Sequence, residues 1–302
     1  MAASPQERRA AILCGHVAGG SSAATPRRPA PFTVSASVSG GEASAPPVCL
    51  VLGAGAGVGQ AVARRFAQEG FHVCCVRRGG GPGSLVGEEG RDALEAFCAQ
   101  LRADFGTGAT ALYADVTKPE DVKALVGRVE AEVGPVEVAV YNVGAQVGSR
   151  SLDGTSYRIF EGAWRMGTLG AFAMAKELAP HMLERGRGTM LFTSSTAAMR
   201  GNQGQHAHTA AMAGRRAMCQ SLSHELGPRG VHVCHICLDG PVNAPDTLGR
   251  MVPGLLEQLP KDRILQPASI AETYLALHRQ PRDAWTLEMD LRPSGETAWF
   301  NS

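Results

Sequence analysis

The residues with the most to offer chemically stand in one stretch, Val48-Cys49-Leu50-Val51-Leu52-Gly53-Ala54-Gly55-Ala56-Gly57-Val58-Gly59. A short apolar run ends in glycines, and a helical pattern begins at once. That order suits a strand, a tight turn and a helix N-terminus, the arrangement that holds a dinucleotide pyrophosphate. Glycines let the backbone approach the phosphates, and the helix end offers free N–H groups with partial positive charge. Polar residues recur at corresponding places further on. Asp115, Asn142, Ser195 and Asp239 each follow an apolar, strand-like run. Cys234 and Cys237 make a C-x-x-C, but on a strand positions i and i+3 face opposite sides, and no second pair completes a zinc site. They read as small buried hydrophobes.

These residues need a scaffold, and the chain supplies one. Strand-like runs at 48–53, 71–76, 109–114, 136–141, 189–193 and 231–238 alternate with helical patterns. The first helix carries Val58, Ala61, Val62 and Phe66 on one face, and Gly70 closes it. Thr117-Lys118-Pro119-Glu120 has the form of a capping box at the start of another. One long helix is expected over Tyr157–Arg185 and another over His208–Leu226, with a last helix at 270–278 and a last strand at 285–291. Strict alternation predicts an α/β fold: a Rossmann-like, doubly wound parallel sheet in a single domain. Ligands of such sheets bind outside the carboxyl ends of the strands, so Asp115, Asn142, Ser195 and Asp239 should line one edge. Residues 240–262, with Leu248, Met251, Leu255 and Leu256, are expected to form an apolar flap over the substrate side.

Residues 1–46 differ from the rest. They are rich in Ala, Ser, Pro and Gly, and Arg8, Arg9, Arg27 and Arg28 face only Glu7 and Glu42. The composition fits either an organelle transit peptide or a disordered leader, so the protein would be mitochondrial or plastid in the first case and cytoplasmic in the second. The folded domain is expected over 47–302. A formal net charge of +1 gives no broad electrostatic case for nucleic acid. No apolar run approaches the roughly 18 residues that a membrane-spanning helix needs. The eight cysteines sit mostly in apolar runs and suggest a reducing compartment.

Residues 47 to about 292 resemble the short-chain dehydrogenase/reductase family. The family's T-G-x-x-x-G-x-G stands here as Leu52 through Gly59, with Leu in place of Thr. The family's adenine-contacting acid is similar to Asp115, in Asp115-Val116-Thr117, and its N-N-A-G stands as Tyr141-Asn142-Val143-Gly144. The resemblance therefore implies cofactor contacts at Gly53, Gly55, Gly57, Val58, Gly59, Asp115, Val116, Asn142 and Gly144. NAD-preferring relatives carry an acid at the end of the second strand to bind the ribose hydroxyls. Here Arg77 and Arg78 stand instead. Guanidinium suits the 2′-phosphate of NADP, so NADP is expected over NAD, although a solvated surface pair would look the same.

The family's catalytic set is Asn, Ser, Tyr and Lys. Aligned on this chain, they fall on Gly167, Ser195, His208 and Met212, so only the serine survives. Histidine is a competent acid near neutral pH and needs no lysine beside it. Ser195 and a protonated His208 would suffice to reduce a carbonyl. Arg215, two turns beyond His208, would restore a positive charge near the ribose but repel a charged ring. The alternative is a neutral, hydrogen-bonded His208 with the proton relay gone. Asp239-Gly240 and the ending Leu287–Pro293 resemble an atypical branch of the family without the tyrosine. The expected function is thus NADP-dependent oxidoreduction of a small carbonyl or alcohol substrate, alternatively an inactive NADP(H)-binding sensor or scaffold. The resemblance also implies a homo-oligomer paired through the helices at 157–185 and 208–226.

Overall fold

The computed structural model describes residues 46–79, 88–249 and 252–296. The leader assigned to residues 1–46 lies, except for Pro46, outside the described residues, as does Met251 of the flap. Among the described residues seven parallel strands form one sheet: β1 Val48–Leu52, β2 His72–Arg77, β3 Ala109–Tyr113, β4 Val136–Tyr141, β5 Gly188–Ser195, β6 Val231–Leu238 and β7 Glu288–Leu291. Their order is β3-β2-β1-β4-β5-β6-β7. The order reverses between β1 and β4, which is where a doubly wound sheet opens its ligand crevice.

The helices are α1 Val58–Gln68, α2 Glu88–Phe105, α3 Pro119–Glu132, α4 Tyr157–Trp164, α5 Gly170–Arg185, α6 His206–Leu226, a short α7 Leu255–Gln258 and α8 Pro267–His278. Strand β1, at the middle of the sheet, is apolar throughout because each face of the sheet has its own core. Val48, Leu50 and Leu52 of β1 enter a core with Val122, Val126, Met174 and Leu178, from α3 and α5. Cys49 and Val51 enter the opposite one with Val62, Phe66, Leu94 and Tyr274, from α1, α2 and α8. Period-two alternation thus feeds two cores from one strand. The seven described cysteines are free and buried. Among the described residues no helix is long and apolar enough to cross a membrane.

The local structure departs from expectation in several places. Thr117 does not cap α3. Its N–H and its hydroxyl both donate to Asp115 Oδ1, at 3.0 and 2.7 Å. That carboxylate holds the threonine in a tight local turn, so Lys118 becomes an N-cap without a side-chain bond. The long helix expected from Tyr157 is divided by a π-turn at Arg165–Leu169. Two outside side chains take carbonyls of this stretch: Tyr141 Oη donates to Met166 O at 2.6 Å, and Arg215 Nε to Gly167 O at 2.7 Å. Loss of those acceptors loosens the ladder to the wider turn. The last strand is shorter than expected, because the Trp285 ring leaves the ladder to stack on His232 at 4.9 Å. Ser195 closes β5 rather than following it, and the helix expected from His208 begins two residues earlier.

Candidate active site

The glycine turn is shaped by what its glycines touch. Gly53 has φ +90°, and a Cβ there would lie 2.8 Å from the Asn142 carbonyl carbon. A Cβ on Gly59 would lie 2.2 Å from the Gly53 carbonyl oxygen. The turn therefore packs the start of α1 directly onto the ends of β1 and β4. Asn142 locks it, its amide donating to Gly53 O at 3.0 Å while its backbone N–H reaches Leu52 O. Gly57, the N-cap of α1, has φ 142° and no side-chain capping bond. The N–H groups of Val58 and Gly59 have no backbone acceptor among the described residues. Gly55 and Gly144 have open space where a Cβ would be. Free amides at a helix start beside an open cradle fit a pyrophosphate.

A cavity of about 440 Å³ runs from this turn along the carboxyl ends of the strands. Gly53, Gly55, Gly57 and Val58 line one end, and Asn142, Val143 and Gly144 its wall. Ser195, His208, Met212 and Arg215 line the other end. Val242, Ala244 and Leu248 contribute from the expected flap. Gly59, Arg77, Arg78, Asp115, Val116 and Asp239 are not among its walls. Gly59 supports the turn from beneath. The Asp115 N–H donates to Asp121 Oδ2 at 3.2 Å, and the Asp115 carboxylate holds Thr117. Arg77 is half-buried at the end of β2 and Arg78 is exposed. Among the described residues neither guanidinium has a hydrogen-bond or ion-pair partner, so both remain available to an anion.

Asp239 does not reach the cavity. It is buried against Arg292, Nη2 to Oδ2 3.0 Å, and so ties the turn after β6 to the segment after β7. Burial raises its pKa and the Arg292 charge opposes that. Met212, in the lysine's place, is 2 % exposed and receives the Ser194 hydroxyl on its sulfur at 3.8 Å. Gly167, in the asparagine's place, has no room for a side chain, since a Cβ would lie 2.6 Å from that of Ala211. The small pair Gly167 and Ala211 brings α6 close to the π-turn and leaves no space for the missing amide.

Ser195 and His208 do meet. Oγ and Nε2 are 3.2 Å apart. The ring is 5 % exposed. Burial lowers its pKa and the Arg215 charge lowers it further, while the Ala145 backbone works the other way. That direction favours the neutral, hydrogen-bonded ring of the two readings the sequence left open. Arg215 also departs from expectation. Each guanidinium nitrogen donates to a backbone carbonyl, of Gly167, Thr193 and Val143, so it is not free to bind a ribose hydroxyl. Sequence reasoning missed Gly170 as well, where a Cβ would lie 2.3 Å from Tyr141 Oη. Its signal was a third glycine, after Gly162 and Gly167, in the stretch expected as one helix.

Comparison with known proteins adds to this geometry. The short chain dehydrogenase family matches residues 47–247. A 3-oxoacyl-(acyl-carrier-protein) reductase of Staphylococcus epidermidis is 28 % identical over 233 residues, covering 74 % of this chain and 88 % of its own. The crystal structure of a short-chain dehydrogenase from Rhodopseudomonas palustris is 32 % identical, with a TM-score of 0.67, covering 82 % of this chain and 98 % of its own. L-sorbose reductase of Gluconobacter frateurii, crystallised with NADPH and L-sorbose, shares the fold at 21 % identity, with a TM-score of 0.71 and coverage of 84 % and 98 %.

Proposed function

This chain belongs to the short chain dehydrogenase family, and on that premise we propose that it is an NADP-dependent oxidoreductase acting on a small alcohol or carbonyl. The observation that carries the reading is the Ser195–His208 contact of 3.2 Å inside the cavity that begins at the glycine turn. The bound dinucleotide supplies the ring that gives or takes hydride. The amides at the start of α1 hold its pyrophosphate, and Asn142 and Gly144 border the path to the reacting end. Arg77 and Arg78 favour NADP over NAD, as cations with no partner among the described residues where NAD-binding relatives place an acid. By the family resemblance Asp115 and Val116 would contact the adenine, from outside the walls of this cavity.

Ser195 holds the reacting oxygen, and His208 Nε2 exchanges the proton through it. The mostly apolar walls suit an uncharged substrate of modest size. A second reading, an NADP(H) sensor without turnover, is favoured by Met212 and Gly167, which leave no lysine and no asparagine for the usual relay. One experiment separates the two. NADPH fluorescence titration is expected to show binding, tighter than NADH, and a carbonyl and alcohol screen to show turnover. His208→Ala and Ser195→Ala should each lower kcat/KM on the order of 100-fold with NADPH affinity unchanged. Binding without turnover would establish the sensor. No binding of either nucleotide would remove both readings.

The same proposal includes a homodimer. Tyr157, Phe160 and Trp164 of α4 and Phe172 of α5 are exposed apolar side chains, Tyr157 at 96 %. Their clustering on the divided helix supports pairing there. Light scattering should give twice the chain mass, and Trp164→Lys should give a monomer. A monomeric parent chain would contradict it.

A further inference from the structure

Beside Arg77 and Arg78, at the end of β2, stands a third cation. Arg91, in the first turn of α2, lays its guanidinium 4.7 Å over the Tyr113 ring at the end of β3. The Tyr113 hydroxyl donates to the Arg91 carbonyl at 3.2 Å, so the ring is tied to the turn that carries the cation. The tip of Arg91 also lies against the chain that leaves β2. A Cβ on Gly79 would meet Arg91 Nη2 at 2.9 Å and Tyr113 Cβ at 3.3 Å. Arg77 stands in register with Tyr113 across the β2–β3 ladder. Residues in register on neighbouring strands point to the same face of a sheet, so the Arg77 side chain stands beside the ring that Arg91 covers.

The charges around this group are unbalanced. Among the described residues none of Arg77, Arg78 and Arg91 has an acid within ion-pair distance. Glu95, one turn along α2 from Arg91, presents its carboxylate to the Tyr113 hydroxyl at 3.4 Å. Asp92, adjacent in sequence to Arg91, does not share its face of the helix. Like charges gathered without an acid repel one another, and an anion among them relieves that. A guanidinium held over a ring face keeps its N–H edges for such an anion.

We propose that Arg91 is a specificity-determining residue: with Arg77 and Arg78 it binds the phosphate monoester on the adenosine ribose of NADP, and Tyr113 holds it in place to do so. This rests on the NADP-dependent oxidoreductase reading. A phosphate monoester brings close to two negative charges and several acceptor oxygens, and a guanidinium meets it with paired N–H donors. NAD has a hydroxyl at that position, which gains little from a third cation. Arg91 is not among the walls of the cavity that holds Ser195 and His208, so it acts on the choice of nucleotide and not on the reacting end.

Calorimetric titration of the full chain with NADPH and with NADH tests this and needs no substrate. Arg91→Gln should weaken NADPH on the order of 10-fold and leave NADH unchanged. Arg91→Lys should recover only part of the loss, because an ammonium has no planar fork to offer the phosphate. Gly79→Ala gives the same readout with Arg91 present. Its Cβ meets the far end of a flexible side chain, so the guanidinium is pushed aside while the fold stays intact. It should lower the preference for NADPH at the parent melting temperature. In competition with NADPH on the parent chain, 2′-AMP should displace it better than 5′-AMP or inorganic phosphate at equal concentration. An unchanged NADPH-to-NADH ratio in either variant overturns the proposal, as does equal weakening of both nucleotides. Inorganic phosphate competing as well as 2′-AMP overturns it too, since the cluster would then be a general anion site. If the parent bound neither nucleotide, the oxidoreductase reading would fall with it. If the parent preferred NADPH and Arg91→Gln kept that preference, this proposal alone would fall.

Discussion

Gly59→Ala is expected to weaken NADPH binding on the order of 100-fold, a loss of about 3 kcal/mol. The added Cβ would sit 2.2 Å from the Gly53 carbonyl oxygen and 2.8 Å from the Ala54 Cα. Both are backbone atoms, so no side chain can swing aside, and α1 must retreat from the end of β1. The same movement parts Asn142 from Gly53 O, a bond of 3.0 Å that locks the turn to β4. The N–H groups proposed to hold a pyrophosphate then lose their aim. Gly55→Ala makes the contrast, because nothing lies within 4 Å of its Cβ position and that position opens on the cavity. It should weaken NADPH by intruding on the ligand while leaving the melting temperature unchanged. Gly59→Ala should lower both. Fluorescence titration and thermal unfolding of the two variants measure this, and parent-like affinity in Gly59→Ala would remove the glycine turn from the binding site.

Those glycines were legible in the sequence because their requirement is steric and local. Gly53, Gly57 and Gly59 stand within seven residues, between an apolar run and a helical pattern, and only a strand–turn–helix satisfies that order. The strands were legible for a related reason. Val48 to Leu52 is apolar on both faces, which only a sheet covered on both sides explains. Arg215 was legible as a charge but not in its role. Its partners lie 22, 48 and 72 residues away, at Thr193, Gly167 and Val143, and nothing near it in sequence marks the carbonyls it bonds. The π-turn was hidden for the same reason, since its cause is side chains arriving from β4 and α6. Asp239 looked like an acid at the cofactor because its neighbours in sequence lie there. Arg292, which turns it away, arrives from the far end of the fold. The capping box failed through a competitor only two residues off, the Asp115 carboxylate. Local chemistry was thus readable wherever one partner dominated, and misread wherever a second partner arrived from another element.

The second large effect is expected on the acid side. Stability should fall by several kcal/mol between about pH 7 and pH 4, with His235 as the largest single source. Five histidines, His72, His208, His232, His235 and His278, have their pKa lowered, in each case first by burial. His235 is 0 % exposed, neither ring nitrogen has a hydrogen-bond partner among the described residues, and its pKa is pushed down to about 4. Because folded values lie below unfolded ones, the unfolded chain binds more protons. The stabilisation is complete above the unfolded value of about 6.5 and is lost as pH falls toward the folded value. For His235 alone, the interval between those two values corresponds to about 3 kcal/mol. Removing the ring should therefore flatten the dependence. His235→Leu places an apolar group on the face of β6 that Val231 and Val233 share, where no polar partner is left unpaired. Urea unfolding at about pH 7 and pH 4.5 should show the parent losing much more stability than the variant across that interval. Equal losses in the two proteins would mean that the ring finds a partner for its proton in the folded chain. His232 and His278 behave differently because each already has one, the Thr286 carbonyl and the Thr189 hydroxyl. Substituting either should lower stability at neutral pH, whereas His235→Leu should not. The difference between those two outcomes ties the largest share of the acid sensitivity to a ring that is both buried and unpartnered.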